Sequence, residues 1–196
     1  MRISTSSSTE ETKYTRVEYE RRFLVSSRAD WRSNVESHSK TFEDKYLRDT
    51  RLRLRVLTDS DTGRRLFKLT KKLESPSPYF RTISRILLSP SEYELLEGVE
   101  GDRLKKVRYY HKYLGRVFSI DVFEDELDGL VLCETEADGL EALMSAERPP
   151  YARHDVTDDP FFEGWQPMPD DTRGLDAQAL DVRVRLSYAP RFYARY

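Results

Sequence analysis

Several short segments of this sequence alternate charged with apolar residues, and most of these segments carry charge of one sign. Successive side chains of a β-strand point to opposite faces, so residues two positions apart share a face. The segments therefore predict strands with one charged face and one apolar face. In chain order, these charged sets are Glu18, Glu20 and Arg22; Arg51, Arg53 and Arg55; Lys68, Thr70 and Lys72; Lys106 and Arg108; Asp121; and Glu134 and Glu136.

A solvent-facing antiparallel sheet would account for any one of these strands. Such a face normally mixes neutral and charged polar residues, whereas these faces are acidic at both ends of the series and basic between them. Like charges on neighbouring strands repel each other. The segregation is favourable if all the faces line one enclosed space, in which basic strands surround a polyanion and acidic strands hold its metal.

Helical signals are few. Ser89 is suited to be a helix N-cap with Pro90 as the first helical residue, and a second helix is predicted from Leu140 to Ala146. No period of 20 to 50 residues repeats, which excludes solenoids and propellers. We therefore predict an α+β fold: strands closed into a barrel, with flanking helices.

Length and composition limit the class of protein. A chain of 196 residues suits one domain. The 33 basic and 35 acidic residues nearly cancel, so no nucleic-acid partner is expected. No apolar run approaches the roughly 18 residues of a membrane span, and the first 12 residues lack a signal-peptide core. These observations predict a cytoplasmic protein that does not bind membranes.

Seven segments, in order, resemble motifs of the CYTH superfamily of triphosphate tunnel metalloenzymes. Glu18 to Arg22 is similar to the ExExK signature, and Tyr46-Leu47 with Arg51 to Arg55 is similar to YL…LRLR. The later matches are Lys68 to Lys72, Lys106 to Tyr109 (KTRY in the family), Ser119 to Phe123, Gly129 to Glu136, and Asp155 to Pro160. The tunnel domain is accordingly assigned to residues 14–166, after a leader of residues 1–13 and before an extension of residues 167–196.

The resemblance implies an eight-stranded antiparallel tunnel that binds triphosphates with Mg²⁺ or Mn²⁺. It implies metal binding by the inward acidic residues, phosphate binding by the inward basic residues, and positioning or deprotonation of the attacking water by Lys106 and Tyr46. The expected metal ligands are Glu18, Glu20, Glu134, Glu136 and Asp121, and the expected substrate-binding residues are Arg22, Arg53, Arg55, Lys68, Arg81 and Arg108.

Two departures from the family pattern affect the expected function. Arg22 stands where the family usually has Lys, which keeps the charge and adds a planar fork for phosphate. The segment from Arg81 to Arg85 corresponds to the family's RxExE on its fourth strand, and here Ile83 and Arg85 replace both carboxylates. The sequence therefore predicts one metal site rather than two. In this departure the chain resembles a bacterial, inorganic triphosphatase-like subgroup of the superfamily.

The predicted function is metal-dependent hydrolysis of inorganic triphosphate with release of the terminal phosphate. A non-catalytic module that binds polyphosphate or another phosphorylated ligand is the alternative from another class. A CYTH adenylyl cyclase or thiamine triphosphatase is a further alternative, and RNA triphosphatase activity is less favoured because no overall basic surface is indicated. In the extension, Leu180 to Leu186 alternates like a half-buried strand and predicts pairing with a sheet edge of its own barrel or of a homodimer partner.

Overall fold

The computed structural model describes residues 14–26, 29–159 and 162, and the backbone but not the side chain of Glu126. The predicted leader and C-terminal extension lie outside these residues, as does the strand predicted from Leu180 to Leu186.

Nine β-strands and two α-helices form the described part of the chain. The strands are β1 (Thr15–Val25), β2 (Ser39–Leu47), β3 (Leu52–Asp59), β4 (Arg65–Lys72), β5 (Phe80–Leu88), β6 (Gly101–Tyr113), β7 (Arg116–Phe123), β8 (Val131–Ala137) and β9 (Ala152–Asp155). The helices are α1 (Pro90–Glu97) and α2 (Leu140–Met144), and short 3₁₀ turns span Arg32–Asn34 and Asp125–Leu127.

Strands β1 to β8 close into a barrel in which every neighbouring pair is antiparallel. The sheet order is β5-β4-β3-β2-β6-β7-β8-β1, and β1 completes the circle by pairing with β5. Residues 15–19 of β1 pair with β5, and residues 19–24 pair with β8. The short β9 pairs with the end of β1. The predicted eight-stranded closed barrel with flanking helices is therefore confirmed.

The predicted helix starts have the expected local cause. Ser89 and Glu92 form a reciprocal capping box around Pro90 at the start of α1, which satisfies backbone N–H groups that the helix leaves without partners. The second helix begins at Leu140 as predicted but ends at Met144, two residues early. No helix among the described residues is long and apolar enough to cross a membrane.

Part of the barrel's outer surface is covered by a hydrophobic cluster. Phe23, Phe118, Ile120 and Cys133 are fully buried outside the wall, against side chains that include Trp31 and Tyr151. Their strand neighbours point to the opposite face, which is the barrel interior. Packing on the outside thus fixes the orientation of β1, β7 and β8, and with it the inward direction of their charged residues.

A second apolar cluster fills one end of the barrel interior. Leu24, Phe123, Leu130, Leu132 and Phe162 are buried together, with Val156 and the partly buried Leu104 and Leu127 packed against them. Leu24 shares the inward face of Arg22, and Leu132 shares that of Glu134. We call this cluster the apolar plug. It closes one end of the tunnel and leaves the polar side chains in a chamber next to it.

Candidate active site

The interior chamber has about 640 Å³ of empty space, including its mouth. Its acidic half lies on β1 and β8, and its basic half lies on β3, β4, β5 and β6. Ten of the predicted site residues line it: Glu18, Glu20, Arg22, Tyr46, Arg53, Arg55, Lys106, Arg108, Glu134 and Glu136.

The other three predicted residues lie beside the chamber. Arg81 lines a smaller compartment that shares Glu18 and Glu20 with it. Lys68 is the cross-strand partner of Arg55 and so shares its inward face. Asp121 is fully buried beneath basic residues of the chamber wall. The segregation of charge predicted from strand alternation is therefore present in three dimensions.

Asp44, which the sequence analysis did not single out, holds two arginines of the basic half. Its carboxylate accepts two hydrogen bonds from Arg55, at 2.5 Å from Nε and 2.6 Å from Nη2. Arg53 approaches the same carboxylate at 3.7 Å. Burial alone would raise the pKa of Asp44, but Arg55 and Arg53 outweigh it and lower that pKa to about 2. Asp44 is therefore ionised and fixes both guanidinium groups.

Asp121 has the same role on the neighbouring wall. Arg108 donates to both of its oxygens, at 2.6 and 2.7 Å, and the Lys106 ammonium donates to one of them. With no exposed surface and three donors, this carboxylate is occupied by the cations above it. Asp121 thus lies on the predicted face but deeper than the four glutamates.

Phe42 forms an aromatic base under these cations. The Arg55 guanidinium lies 4.4 Å from the centre of its ring and that of Arg108 lies 5.2 Å away, with the Lys106 ammonium at 5.9 Å. An aromatic face attracts cations without neutralising their charge. The three cations can therefore stay close together and still attract an anion.

Arg22 joins the two acidic strands. It contacts Glu20 on its own strand and donates to Glu134 on β8 at 3.1 Å. Glu134 also accepts a hydrogen bond of 2.6 Å from Arg108. Burial opposes both charges, yet Glu20 and Glu134 raise the pKa of Arg22. The nearby Lys106, followed by Arg108 and Arg22, lowers the pKa of Glu134. Both groups are charged throughout the physiological pH range.

Among the four glutamates that line the chamber, Glu136 has the weakest contact with a basic side chain. Its nearest basic atom is on Arg16, 3.9 Å away. Burial raises the pKa of Glu136, and the negative charges of Glu18 and Glu20 raise it further. Three carboxylates thus repel one another at this end of the acidic half. Hard oxygen ligands under such repulsion suit a divalent cation such as Mg²⁺ or Mn²⁺, which would relieve it.

The described side chains are not arranged as a ready-made metal site. No group of three or more His, Cys, Asp or Glu residues among them has a geometry that could hold a metal ion. The ion pairs explain this, since Arg16, Arg22, Arg85 and Arg108 already draw the glutamates toward themselves. Metal binding therefore requires some glutamates to exchange an arginine contact for a metal contact.

Arg85 and Ile83 occupy the inward face of β5. Arg85 lines the chamber and donates to Glu18 at 3.1 Å. Ile83 is buried and lines the smaller compartment. The departure noted in the sequence thus puts a cation and an apolar side chain at the boundary between the basic and acidic halves.

Lys72 is the chamber lysine whose acidity changes most. Burial lowers its pKa to about 8, helped by the positive charge of Arg53. For Tyr46, burial raises the pKa and the positive charge of Arg53 lowers it. Burial is the larger effect, so the pKa of Tyr46 is raised. Lys72 is therefore neutral in about one tenth of the molecules at pH 7 and in about half near pH 8, whereas Tyr46 stays protonated. Strand alternation had grouped Lys72 with Lys68, but burial cannot be read from that pattern.

Comparison with known proteins gives structural similarities only. No family model and no curated protein matches the chain. Similar solved structures include the inorganic triphosphatase NE1496, at 25% identity over 74% of this chain and 90% of that chain, with a TM-score of 0.49. Another is the PH1819 protein of Pyrococcus horikoshii, at 20% identity over 65% and 82%, with a TM-score of 0.47.

A third similar structure is the putative adenylyl cyclase HpAC1 from Hippeastrum, described as having a dominant triphosphatase activity. It is 10% identical over 65% of this chain and 82% of that chain, with a TM-score of 0.46. The closed antiparallel barrel found here is the fold that the CYTH resemblance implies.

Proposed function

We propose that this protein is a divalent-metal-dependent hydrolase that converts inorganic triphosphate to diphosphate and phosphate. The observation that supports it best is a single chamber with one cationic half and one carboxylate half, closed at one end by the apolar plug. A chain of phosphates needs many fixed cations along its length, and the metal that accompanies it needs carboxylates nearby.

The basic half binds and orients the phosphates. Arg53 and Arg55 are anchored by Asp44, and Lys106 and Arg108 by Asp121, so these groups need little rearrangement when an anion arrives. Donors that are fixed in advance stabilise developing charge better than mobile ones. In this proposal Asp121 supports the phosphate-binding cations, and the metal is assigned to the glutamates alone.

The metal ligands are Glu18, Glu20, Glu134 and Glu136, which combine four hard carboxylates with partial exposure to the chamber. When bound there with the substrate, Mg²⁺ or Mn²⁺ supplies Lewis-acid polarisation of a phosphoryl oxygen and neutralises charge. The pKa of Glu136 is raised first by burial and then by the negative charges of Glu18 and Glu20, and this second cause supports the assignment, because a cation would offset those charges.

Lys72 is the group best suited to accept a proton from the attacking water. A general base near neutral pH needs a pKa close to that pH, and the pKa of Lys72 is about 8. The Lys106 ammonium is instead engaged by the Asp121 carboxylate. We therefore assign charge neutralisation to Lys106, proton acceptance to Lys72, and positioning of Arg53 to Tyr46.

Inorganic triphosphate is favoured over substrates with an organic group. The apolar residues at the closed end pack against one another in the apolar plug, so they are already occupied and do not form a binding surface for such a group. Leu104, Phe123, Leu132 and Phe162 line the chamber there and belong to the same cluster. The smaller compartment beside Lys72 is also lined by Pro78 and Tyr79. This is the one feature in the described barrel interior that favours ATP or thiamine triphosphate as an alternative.

A phosphate-release assay tests the proposal. The purified protein is incubated with triphosphate, ATP or thiamine triphosphate, each with Mg²⁺, Mn²⁺ or EDTA. We expect metal-stimulated release that is fastest with inorganic triphosphate. Glu134→Gln should lower the rate at least about tenfold, or about 1.4 kcal/mol in the barrier, whereas the exposed Glu94→Gln should leave it unchanged.

Triphosphate binding without phosphate release would contradict the hydrolase proposal. If calorimetry detects triphosphate binding but no metal stimulates phosphate release from any of the three substrates, the hydrolase proposal is wrong. The protein would then be a polyphosphate-binding module. Faster turnover of ATP or thiamine triphosphate would assign the organic group to the smaller compartment.

A further inference from the structure

Arg85 stands between the two halves of the chamber. Its Nη2 atom donates to Oε1 of Glu18 at 3.1 Å, and the same oxygen also contacts Arg16. The strand register places Arg85 opposite Thr70 on β4, and both lie on the inward face of the wall. One carboxylate of the acidic half is thus paired with two guanidinium groups.

The surroundings of Arg85 are rich in positive charge. Burial lowers its pKa, Glu18 opposes that shift, and Arg16, Arg53 and Arg55 add to it. Arg85 in turn helps to lower the pKa of Lys68, after burial itself. These cations repel one another around a space that opens into the chamber. An anion placed there would relieve the repulsion. Arg85 lines the chamber with Arg53 and Arg55 and, unlike those two, also contacts Glu18 in the acidic half.

Phosphoryl-transfer sites neutralise the transferring group in more than one way. Some use two divalent cations that clamp the reacting oxygens, and others combine one metal with an arginine. Glu18 is already balanced by Arg85 and Arg16, so a divalent cation gains less there than beside Glu136, whose single cationic contact is long. This comparison narrows the four proposed metal ligands to Glu20, Glu134 and Glu136, and leaves Glu18 paired with Arg85 and Arg16.

Building on the proposed function, we infer that Arg85 serves as a resident cation in place of a second divalent ion, so that the chamber binds triphosphate with one metal. Its guanidinium bridges Glu18 and the phosphate chain. A planar fork suits this position, because it can donate to a carboxylate and a phosphate at the same time.

The test counts metal ions directly. Bound Mn²⁺ is measured by electron paramagnetic resonance in the presence of imidotriphosphate, a triphosphate analogue with nitrogen bridges that resist hydrolysis. We expect one Mn²⁺ per wild-type chain. Arg85→Glu should bind two, because the new carboxylate and the released Glu18 form a second site. Two sites of similar affinity in the wild type, or one site in a folded Arg85→Glu variant, would overturn the inference.

If Arg85→Glu does not fold, Arg85→Gln tests the same inference, because it removes the positive charge without adding a negative one. Arg85→Gln should bind the analogue at least about tenfold more weakly without metal, a loss typical of one charged contact. Excess Mn²⁺ should restore most of this affinity, because a second ion can now enter beside Glu18. A loss that Mn²⁺ does not restore would show that Arg85 has only a structural role, and the inference would be wrong.

Arg103→Gln is the matched control. Arg103 is exposed on the outer surface and pairs with Glu97 there, so its loss should change neither the number of ions nor the affinity. Wild-type hydrolysis of triphosphate is measured in parallel. Turnover with two bound Mn²⁺ ions supports the proposed function but overturns the role of Arg85. One ion with dependence on Arg85 but no turnover supports that role and contradicts the proposed function.

Discussion

Asp44 and Arg55 face each other across β2 and β3 and share two hydrogen bonds, from Nε and Nη2 of the guanidinium to the two carboxylate oxygens. Asp44 is 3% exposed, so this pair is held away from solvent. A buried carboxylate of this kind costs desolvation and is stable only with its partners in place. The pair therefore links the stability of the barrel to the orientation of its phosphate-binding residues.

The Asp44 pair should make the fold sensitive to acid. The folded-state pKa of about 2 lies below the unfolded value of 3.8, so its stabilisation is present above pH 4 and is lost as pH falls through 2. Between these limits, we expect Asp44 to account for a loss of about 2 kcal/mol in the free energy of unfolding. About 1 kcal/mol of this loss should already be present at pH 3, and Asp44→Asn should lack it when urea denaturation at pH 7 is compared with that at pH 3. Asp128→Asn, on the surface, should behave like the wild type; equal pH dependence in all three proteins would contradict the prediction.

Lys72 should control the pH dependence of turnover. Its neutral form increases as pH rises through about 8, so kcat/KM should rise over the same range. Lys72→Arg keeps the positive charge but cannot lose its proton near neutral pH. We expect this variant to lose the rise and at least about 100-fold in kcat, the typical contribution of a general base. Steady-state assays from pH 6 to 10 measure both effects.

Lys71→Arg is the control for Lys72. Lys71 is exposed and points to the opposite face of the same strand, so this change should leave the pH profile intact. If Lys72→Arg keeps the wild-type profile, another group accepts the proton.

Thr70 and Thr135 form a matched pair of buried hydroxyl groups. The Thr135 hydroxyl donates to the backbone oxygen of Val117 at 3.2 Å, whereas the Thr70 hydroxyl has no protein partner. A buried hydroxyl without a partner costs stability, and one with a partner contributes about 1 kcal/mol. Thr135→Val should therefore destabilise the fold by about 1 kcal/mol, and Thr70→Val should leave it unchanged or more stable. Chemical denaturation measures both, and equal losses would show that Thr70 is satisfied by water.

Strand alternation predicted the inward face of the glutamates and arginines that line the chamber. Glu18 and Glu20 face inward, as do Arg53 and Arg55, because an apolar residue between each pair packs on the other side of the wall. Depth within the barrel is a different property, since it depends on strand tilt and on what lies above each residue. Asp121 shows the difference: its face was predicted, but its complete burial under Lys106 and Arg108 was not.

Two parts of the interior had no usable signal in the sequence. Asp44 lies between Glu43 and Lys45, where charged residues follow one another and alternation cannot assign a face. The apolar plug starts at Leu24, within a run in which both neighbours are also apolar. It also depends on Phe162, far away in sequence. Such long-range contacts follow from barrel closure and could not be obtained from local periodicity.

The apolar plug should contribute much of the stability of the chamber end. Leu132 is 2% exposed and packs with Leu24, Phe123 and Phe162 next to the inward face of Glu134. Replacing a buried leucine with alanine removes apolar contacts and leaves a cavity, which costs about 2 to 5 kcal/mol. Leu132→Ala should therefore lower the free energy of unfolding by about 3 kcal/mol in urea denaturation.

Leu95→Ala in α1 is the control for this change. Leu95 is 80% exposed, so the same deletion of side-chain atoms should change stability by less than about 0.5 kcal/mol. The two variants remove equal apolar volume and differ in where it lies. If they destabilise the protein equally, the apolar cluster does not close the tunnel as a packed unit, and water would have access to the chamber from both ends.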